Sequence, residues 1–306
     1  MFRAVLIIVA LMLAPSAALA DAKIDTQPRV AVMTAMPTEM AALRPAVVGA
    51  EEHKVGGVTF ITGALEGKKV VLFMSGVSMI NATMTTQLAL ERFNITAIVF
   101  SGVAGGVDPA LHVGDVAVPA QWGSYLESRF LKEGPNGTFP MPPAGAHGAD
   151  LTFTPYGMIL PHGQNVAMPG GPEARFWFPA DPGLLEVARR TAADAALKRC
   201  TAEALCLDQA PRILVGGNGL SATVFMDNAR FRDYLFTTFQ AQAVDMETAA
   251  VAQVAYVWGV KFIAFRSLSD LAGGDEGANP FYRFVGLAAD NAATTLRTFL
   301  REMPAA

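Results

Sequence analysis

Apolar and polar positions alternate along the chain in two rhythms. Short runs rich in Val, Ile, Phe and Ala read as strands over Arg29 to Met33, Val58 to Thr62, Val70 to Met74, Ala97 to Ser101, Asp115 to Pro119, Arg212 to Val215 and Lys261 to Phe265. Between them, helical spacing predicts helices over Glu39 to Leu43, Ile80 to Arg92, Pro182 to Lys198, Asn228 to Phe239, Met246 to Trp258 and Phe281 to Arg301. Strands alternating with helices imply an α/β fold whose sheet is parallel or mostly parallel and covered on both faces. No internal repeat or linker interrupts the pattern, so one domain is expected over residues 21–306.

Two stretches depart from these rhythms. At the start, Arg3, the apolar run Ala4 to Leu13 and the small-residue site Ala18-Leu19-Ala20 have the form of a cleaved export leader, which puts the mature start at Asp21 and the protein in the periplasm or outside the cell. That run is shorter than the roughly 20 apolar residues a membrane span needs, and no later segment is long enough, so no membrane association is expected after cleavage. The second is Gly123 to Arg175, with Pro140-Met141-Pro142-Pro143 and Pro169-Gly170-Gly171-Pro172. A long irregular stretch in a compact domain is a lid, a subunit contact or surface decoration.

Charge and cysteine content narrow the chemistry. The net charge is −4 with no basic stripe, which argues against nucleic acid as a partner. Cys200 and Cys206 are the only cysteines, and in an oxidising compartment so close a pair reads as a local disulfide. With four His and no CxxC, neither a metal site nor a bound cofactor is expected.

Candidate chemistry falls at what would be the carboxyl ends of the strands, where ligands bind in open α/β sheets. Glu39 follows the first strand, and Ser101-Gly102-Val103-Ala104-Gly105-Gly106 follows a central one as a glycine-rich turn. Taken alone, that turn is explained as well by close packing, because its spacing is neither a dinucleotide nor a phosphate loop. In Val244-Asp245-Met246-Glu247 two acids open an Ala-rich helix; capping accounts for one, but a second buried carboxylate needs a partner such as the hydroxyls of a ribose. Asp270 in Arg266-Ser267-Leu268-Ser269-Asp270 is either a turn-former or a general acid.

Taken together, Met33 to Leu43, the Ser-Gly-Val-Ala-Gly-Gly turn with Val113-Gly114-Asp115, the Val-Asp-Met-Glu helix start and Arg-Ser-Leu-Ser-Asp resemble the purine nucleoside phosphorylase and nucleosidase superfamily. The likeness is nearest to the methylthioadenosine/adenosylhomocysteine nucleosidases and spans about Arg29 to Leu300, with Gly123 to Arg175 matching poorly. Phe176-Trp177-Phe178-Pro179, Val224 to Asn228 and the cysteine pair are also similar to an exported subgroup that includes plant bark and vegetative storage proteins. The resemblance implies a three-layer αβα sandwich around a twisted mixed, mostly parallel sheet, and a homo-oligomer, in the first instance a dimer. It implies hydrolysis of the N-glycosidic bond of a purine nucleoside, freeing adenine.

By motif, Glu39 matches the acid that activates water and Arg266 an arginine near that water. Asp270 matches the acid that protonates purine N7, with Ser269 beside it. Glu247 matches the acceptor of the ribose hydroxyls, Met246 the residue under the sugar, Phe225 the aromatic stacked on the base and Met226 a backbone reader of the base edge. Val103, Ala104 and Gly105 form the glycine turn at the pocket. Purine is a poor leaving anion, so a proton at N7 accelerates its departure by roughly 10²–10⁴-fold. Burial is expected to raise the pKa of Asp270, and Arg266 to keep Glu39 ionised.

Three departures accompany these matches. Val103 stands where the family commonly has a small hydroxyl residue, Asp245 where the near nucleosidases usually have Glu, and Gln121-Trp122-Gly123-Ser124 replaces an aspartate-rich stretch. Met36-Pro37-Thr38-Glu39 stands in place of the phosphorylases' Gly-Asp-Pro segment, which favours water over phosphate as the attacking group. A phosphorylase and a non-catalytic nucleoside-binding or storage protein remain as alternatives.

Overall fold

The computed structural model describes residues 23–142 and 153–304; the expected leader, and residues 143–152 of the irregular stretch, lie outside them. The chain opens with β1 (Asp25–Thr34) and α1 (Pro37–Leu43), then runs a meander of β2 (Val48–Val55), β3 (Val58–Leu65) and β4 (Lys68–Met74). Helix α2 (Met79–Arg92) leads into the long β5 (Phe93–Gly106), followed by β6 (Val116–Val118) and β7 (Gln121–Ser124). Two small antiparallel ribbons come next, β8 (Ser128–Phe130) with β9 (Ile159–Pro161) and β10 (Gln164–Val166) with β11 (Glu173–Arg175). The remainder comprises β12 (Trp177–Pro179), α3 (Pro182–Thr191), β13 (Ile213–Val215), β14 (Asn218–Ser221), α4 (Ala229–Phe239), β15 (Ala241–Asp245), α5 (Thr248–Trp258), β16 (Lys261–Asp270) and α6 (Phe281–Glu302).

Twelve strands form one mixed sheet in the order β12-β7-β14-β15-β5-β1-β4-β3-β2, with β16 joining β5 to β6 and β13 beyond β6. The centre is parallel: β4, β1, β5 and β16 run the same way, whereas the outer meander and the β15–β5 contact are antiparallel. Both faces are covered, as the apolar runs require. Val30 and Val32 of β1, with Ile263 and Phe265 of β16, pack under α1, α3 and α6 through Leu43, Leu184, Leu296 and Phe299. The alternate residues Ala31, Met33, Phe262 and Ala264 pack under α2 and α5 through Ala82, Leu90, Val251 and Ala255. The result is the three-layer αβα sandwich.

Where the structure departs from the sequence reading, a local cause is visible. The glycine-rich segment is not a turn: it continues β5 to Gly106, paired with β16 as far as Asp270. Glycine is needed at Gly102 because a Cβ there would lie 1.8 Å from Arg266 Nη1, and Gly105 sits close against Asp270, with a Cβ there 3.0 Å from its Oδ1. Helix α3 stops at Thr191 instead of reaching Lys198, and a 3₁₀ turn follows over Ala192–Asp194. Beyond it the Lys198 backbone is held by Asn291 of α6, which accepts from Lys198 N at 2.7 Å and donates to Lys198 O at 3.0 Å.

Cys200 and Cys206 are joined in a disulfide that closes the loop after α3, away from the cavity described below. By loop closure so short a cross-link contributes roughly 2 kcal/mol. Urea denaturation of the Cys200→Ser/Cys206→Ser protein is expected to show a loss of that size.

Candidate active site

The site arises from a gap beside β5. On one side β5 pairs with β16 from Ala97 to Gly105. On the other it pairs with β1 only as far as Phe100, and β15 takes over at Gly105. Between those registers the backbone of residues 101–104 has no strand neighbour on that second side, and a cavity of about 410 Å³ opens there. Glu39, Val103, Ala104, Gly105, Phe225, Met226, Met246, Glu247, Ser269 and Asp270 all line it. Arg266 does not line it, lying fully buried behind the wall.

Glu39 sits in the first turn of α1, which Pro37 starts directly after β1. Its Oε2 accepts from the amides of Ala35 at 2.6 Å and Met36 at 3.0 Å, and its Oε1 accepts from Val103 N at 2.9 Å. The Val103 amide, left free by the strand gap, is therefore taken by a carboxylate. Burial pushes the Glu39 pKa up; Arg266 and the three amides pull it down without cancelling that push. Arg266 favours the ionised form of Glu39, the direction expected from the sequence, but desolvation outweighs it and the pKa stands above the ordinary glutamate value, which leaves Glu39 a stronger base than a surface carboxylate.

Strand alternation sends Arg266 to the same face as Ala264, toward α5. Its guanidinium lies 3.9 Å over the Phe100 ring. Nε is 2.8 Å from Asp245 Oδ2, Nε and Nη2 donate to Thr248 Oγ1, and Nη2 is 3.9 Å from Glu247 Oε2. Nη1 has no hydrogen-bond partner. The absent Cβ of Gly102 would lie 1.8 Å from Nη1 and 2.8 Å from Glu39 Oε1, so glycine is what lets this free donor and this carboxylate converge.

The two acids after β15 divide their work. Asp245 caps α5, its Oδ1 accepting from Glu247 N at 3.2 Å and Thr248 N at 3.1 Å, and it also holds Ser221 and Arg266. Glu247 faces the cavity, with Oε1 accepting from Ser78 N at 2.8 Å. Burial, then Asp245 and Glu39, push its pKa up to about 7, against the pull of Arg266 and the Ser78 amide.

Asp270 ends β16, 3% exposed. Its Oδ1 accepts from Ala272 N at 2.9 Å, and its Oδ2 accepts from the Ser269 hydroxyl at 2.9 Å. Burial raises its pKa above the ordinary aspartate value, as expected from the sequence. Above it runs the irregular segment 222–228 that carries Phe225 and Met226. Gly273, at φ +90°, lies flush against that segment, where a Cβ would come within 2.2 Å of Asn228 N. The acid and the aromatic wall are therefore in fixed register.

Several lining residues escaped the sequence reading. Phe281 and Tyr282 open α6 beside the cavity, with Phe281 edge-on to Phe225 at 5.5 Å, and Asn279 donates to Asp227 at 3.0 Å. The amphipathic pattern of α6 marks its buried stripe but says nothing about its first turn. Among the described residues no group of His, Cys, Asp and Glu is placed to hold a metal ion, and no helix is long and apolar enough to cross a membrane.

A family model described as the phosphorylase superfamily matches residues 29–303. The chain belongs to the phosphorylase superfamily. Relatives within it include a 5'-methylthioadenosine/S-adenosylhomocysteine nucleosidase of Mycobacterium bovis, 30% identical over 90% of this chain and 96% of that protein. Another nucleosidase of that description, from Geobacillus thermodenitrificans, is 32% identical over 89% of this chain and 96% of its own length. The fold is shared with an S-adenosylhomocysteine nucleosidase of Streptococcus pyogenes solved with 5-methylthiotubericidin, at a TM-score of 0.67, 24% identity and coverage of 91% of this chain and 98% of that one. It is shared too with a futalosine hydrolase of Helicobacter pylori, at a TM-score of 0.66, 24% identity and coverage of 91% and 99%.

Buried acids give this superfamily member a characteristic pH response. Folded Glu247 holds its proton up to about 7, against an ordinary 4.5, so the folded state binds that proton more tightly than the unfolded chain does. The resulting stabilisation is complete below the ordinary value and is lost as pH rises through about 7. The thermal midpoint of the ligand-free protein is expected to fall between about pH 5 and about pH 8, and Glu247→Gln to flatten that fall in part, Glu39 and Asp270 contributing with the same sign.

Proposed function

We propose that the protein hydrolyses the N-glycosidic bond of a purine nucleoside of the methylthioadenosine or adenosylhomocysteine type, releasing adenine and a pentose derivative. The observation that carries this reading is the pair formed by Glu39, lodged on the Val103 amide beside the free Nη1 of Arg266, and Asp270 across the cavity, whose pKa burial raises. Glu39 takes a proton from water as its oxygen attacks the sugar carbon. Asp270 delivers a proton to N7 of the base as the bond to the sugar breaks. One acid acts ionised and the other protonated, the division of labour found in glycoside hydrolysis. Glu247 accepts the sugar hydroxyls, Met246 packs beneath the ring, Phe225 stacks on the base, and the Met226 backbone with Ser269 reads its edge.

Phosphate as the attacking group is disfavoured by charge. The described cavity wall carries Glu39, Asp227, Asp245, Glu247 and Asp270 and no Lys or Arg. Arg266 is committed behind it to Asp245 and Thr248. A phosphate dianion needs free amides and cations, and here the strand amide at Val103 is already occupied by a carboxylate. The same acidic wall suits a sugar carbon that becomes cation-like. Val103 presents an apolar side chain where a hydroxyl is common in the family, so in this account Glu39 holds the water without a hydroxyl from position 103.

Export and assembly belong to the same proposal. The leader pattern and the Cys200–Cys206 disulfide support a periplasmic or secreted protein whose mature chain starts at Asp21. On α2 and the turn before it, Val77, Ile80 and Met84 form an exposed apolar stripe at helical spacing, and Val77 also lines the cavity. That stripe supports a homodimer, which light scattering tests directly: a monomer removes the dimer from the proposal.

Incubation of the mature protein with methylthioadenosine, with and without phosphate, decides among the functions. Free adenine without phosphate is expected; sugar phosphate would establish a phosphorylase, and binding without product a storage or sensor protein. Glu39→Gln and Asp270→Asn are each expected to cut turnover by about a hundredfold or more. Full activity in either variant removes that residue from the mechanism.

A further inference from the structure

The peptide bond between Val77 and Ser78 is held at both ends. Its N–H, on Ser78, donates to Glu247 Oε1 at 2.8 Å, and its carbonyl, on Val77, accepts from the side-chain amide of Asn81 at 2.7 Å. For the N–H to face Glu247 the chain adopts φ +97° and ψ 144° at Ser78, a region almost confined to glycine. Ser78 precedes α2, yet its hydroxyl makes no cap to that helix, the role serine ordinarily plays there. A strained backbone at a non-glycine residue persists only where its surroundings hold it. Here the holding groups are an exposed asparagine on one side and a buried carboxylate on the other.

Glu247 depends on this tie. The nearest guanidinium nitrogen, Arg266 Nη2, is 3.9 Å away, beyond hydrogen-bond reach, because Arg266 spends its close contacts on Asp245 and Thr248. The charged groups facing Glu247 are Asp245 of β15, Arg266 of β16 and Glu39 of α1. Two of these three oppose its ionisation. The Ser78 amide therefore supplies the one short bond that fixes Oε1 and favours the charged form.

We propose that Asn81 is a positioning residue for sugar recognition, acting through the Val77–Ser78 peptide to orient Glu247. Asn81 is exposed, lies outside the cavity and touches no reacting group. Its side chain clamps the Val77 carbonyl; the clamped peptide aims the Ser78 N–H; that N–H holds the carboxylate in the form that accepts two sugar hydroxyls. Later in α2, Thr83, Thr85 and Thr86 each donate a hydroxyl to the carbonyl four residues back. A threonine at position 81 therefore offers the same bond to Val77 O that asparagine makes.

The proposal rests on the reading that Glu247 holds the sugar, and the test separates the two. In the ligand-free protein the amide resonance of Ser78 is followed against pH by ¹⁵N NMR. It is expected to titrate with the Glu247 carboxyl, with a midpoint near 7. The midpoint should move up in Asn81→Ala, return in Asn81→Thr, and the inflection should vanish in Glu247→Gln. Alanine favours the helix at this exposed position, so the first variant folds. With a purine nucleoside as substrate, Asn81→Ala is expected to lower kcat/KM roughly tenfold, chiefly through KM, and Asn81→Thr to recover it. A Ser78 amide indifferent to pH, or a midpoint unchanged in Asn81→Ala, overturns the proposal. If the titration behaves as expected and no nucleoside is cleaved, the relay stands and the functional reading fails.

Discussion

One buried cation organises the centre of this protein. The Arg266 guanidinium lies on the Phe100 ring, binds Asp245 and Thr248, approaches Glu247 and leaves Nη1 over Gly102 beside Glu39. Those contacts tie β16, β5, α1 and the β15–α5 junction to one another. Removing one partner of such a buried pair typically costs about 3–5 kcal/mol, because the remaining charge is left uncompensated. The fit is backbone-deep, since Gly102 must lack a side chain for the guanidinium to reach its place.

A single cation among Glu39, Asp245 and Glu247 cannot satisfy them all. Asp245 takes the shortest contact, and burial then raises Glu247 and Glu39 above ordinary carboxylates. Asp270, farther along β16 and held by Ser269 and the Ala272 amide, is raised by burial as well. Burial thus raises the pKa of three acids at the site, and no Lys or Arg lines it among the described residues. The acidic wall suits a sugar that becomes positive and a base that must leave neutral, and it disfavours an incoming phosphate.

Much of the frame was legible in the sequence, because β1, β4, β5 and β16 are buried on both faces and read as apolar runs. The strands β7, β14 and β15 were not, being short, rich in Gly, Ala and polar residues, and placed only by their neighbours. The glycine-rich segment reads as a turn because glycine favours turns in isolation; in the structure its glycines serve close side-chain approach within a strand. Glu39, Glu247 and Asp270 were legible through motifs; burial chemistry implied that one of the two acids after β15 caps the helix and the other needs a partner, and the structure shows Asp245 in the first role and Glu247 at the cavity. Ser78 and Asn81 carried no such signal: a serine at positive φ and an asparagine reaching back four residues are visible only in three dimensions.

The most direct test of this account is the turnover of Arg266→Lys on a purine nucleoside, measured on protein shown to be folded. Lysine keeps the charge but loses the planar fork that serves Asp245, Thr248 and the Glu39 side at once. A fall in kcat/KM of about a hundredfold or more is predicted. Turnover equal to that of the parent protein would contradict the claim that the guanidinium organises the site.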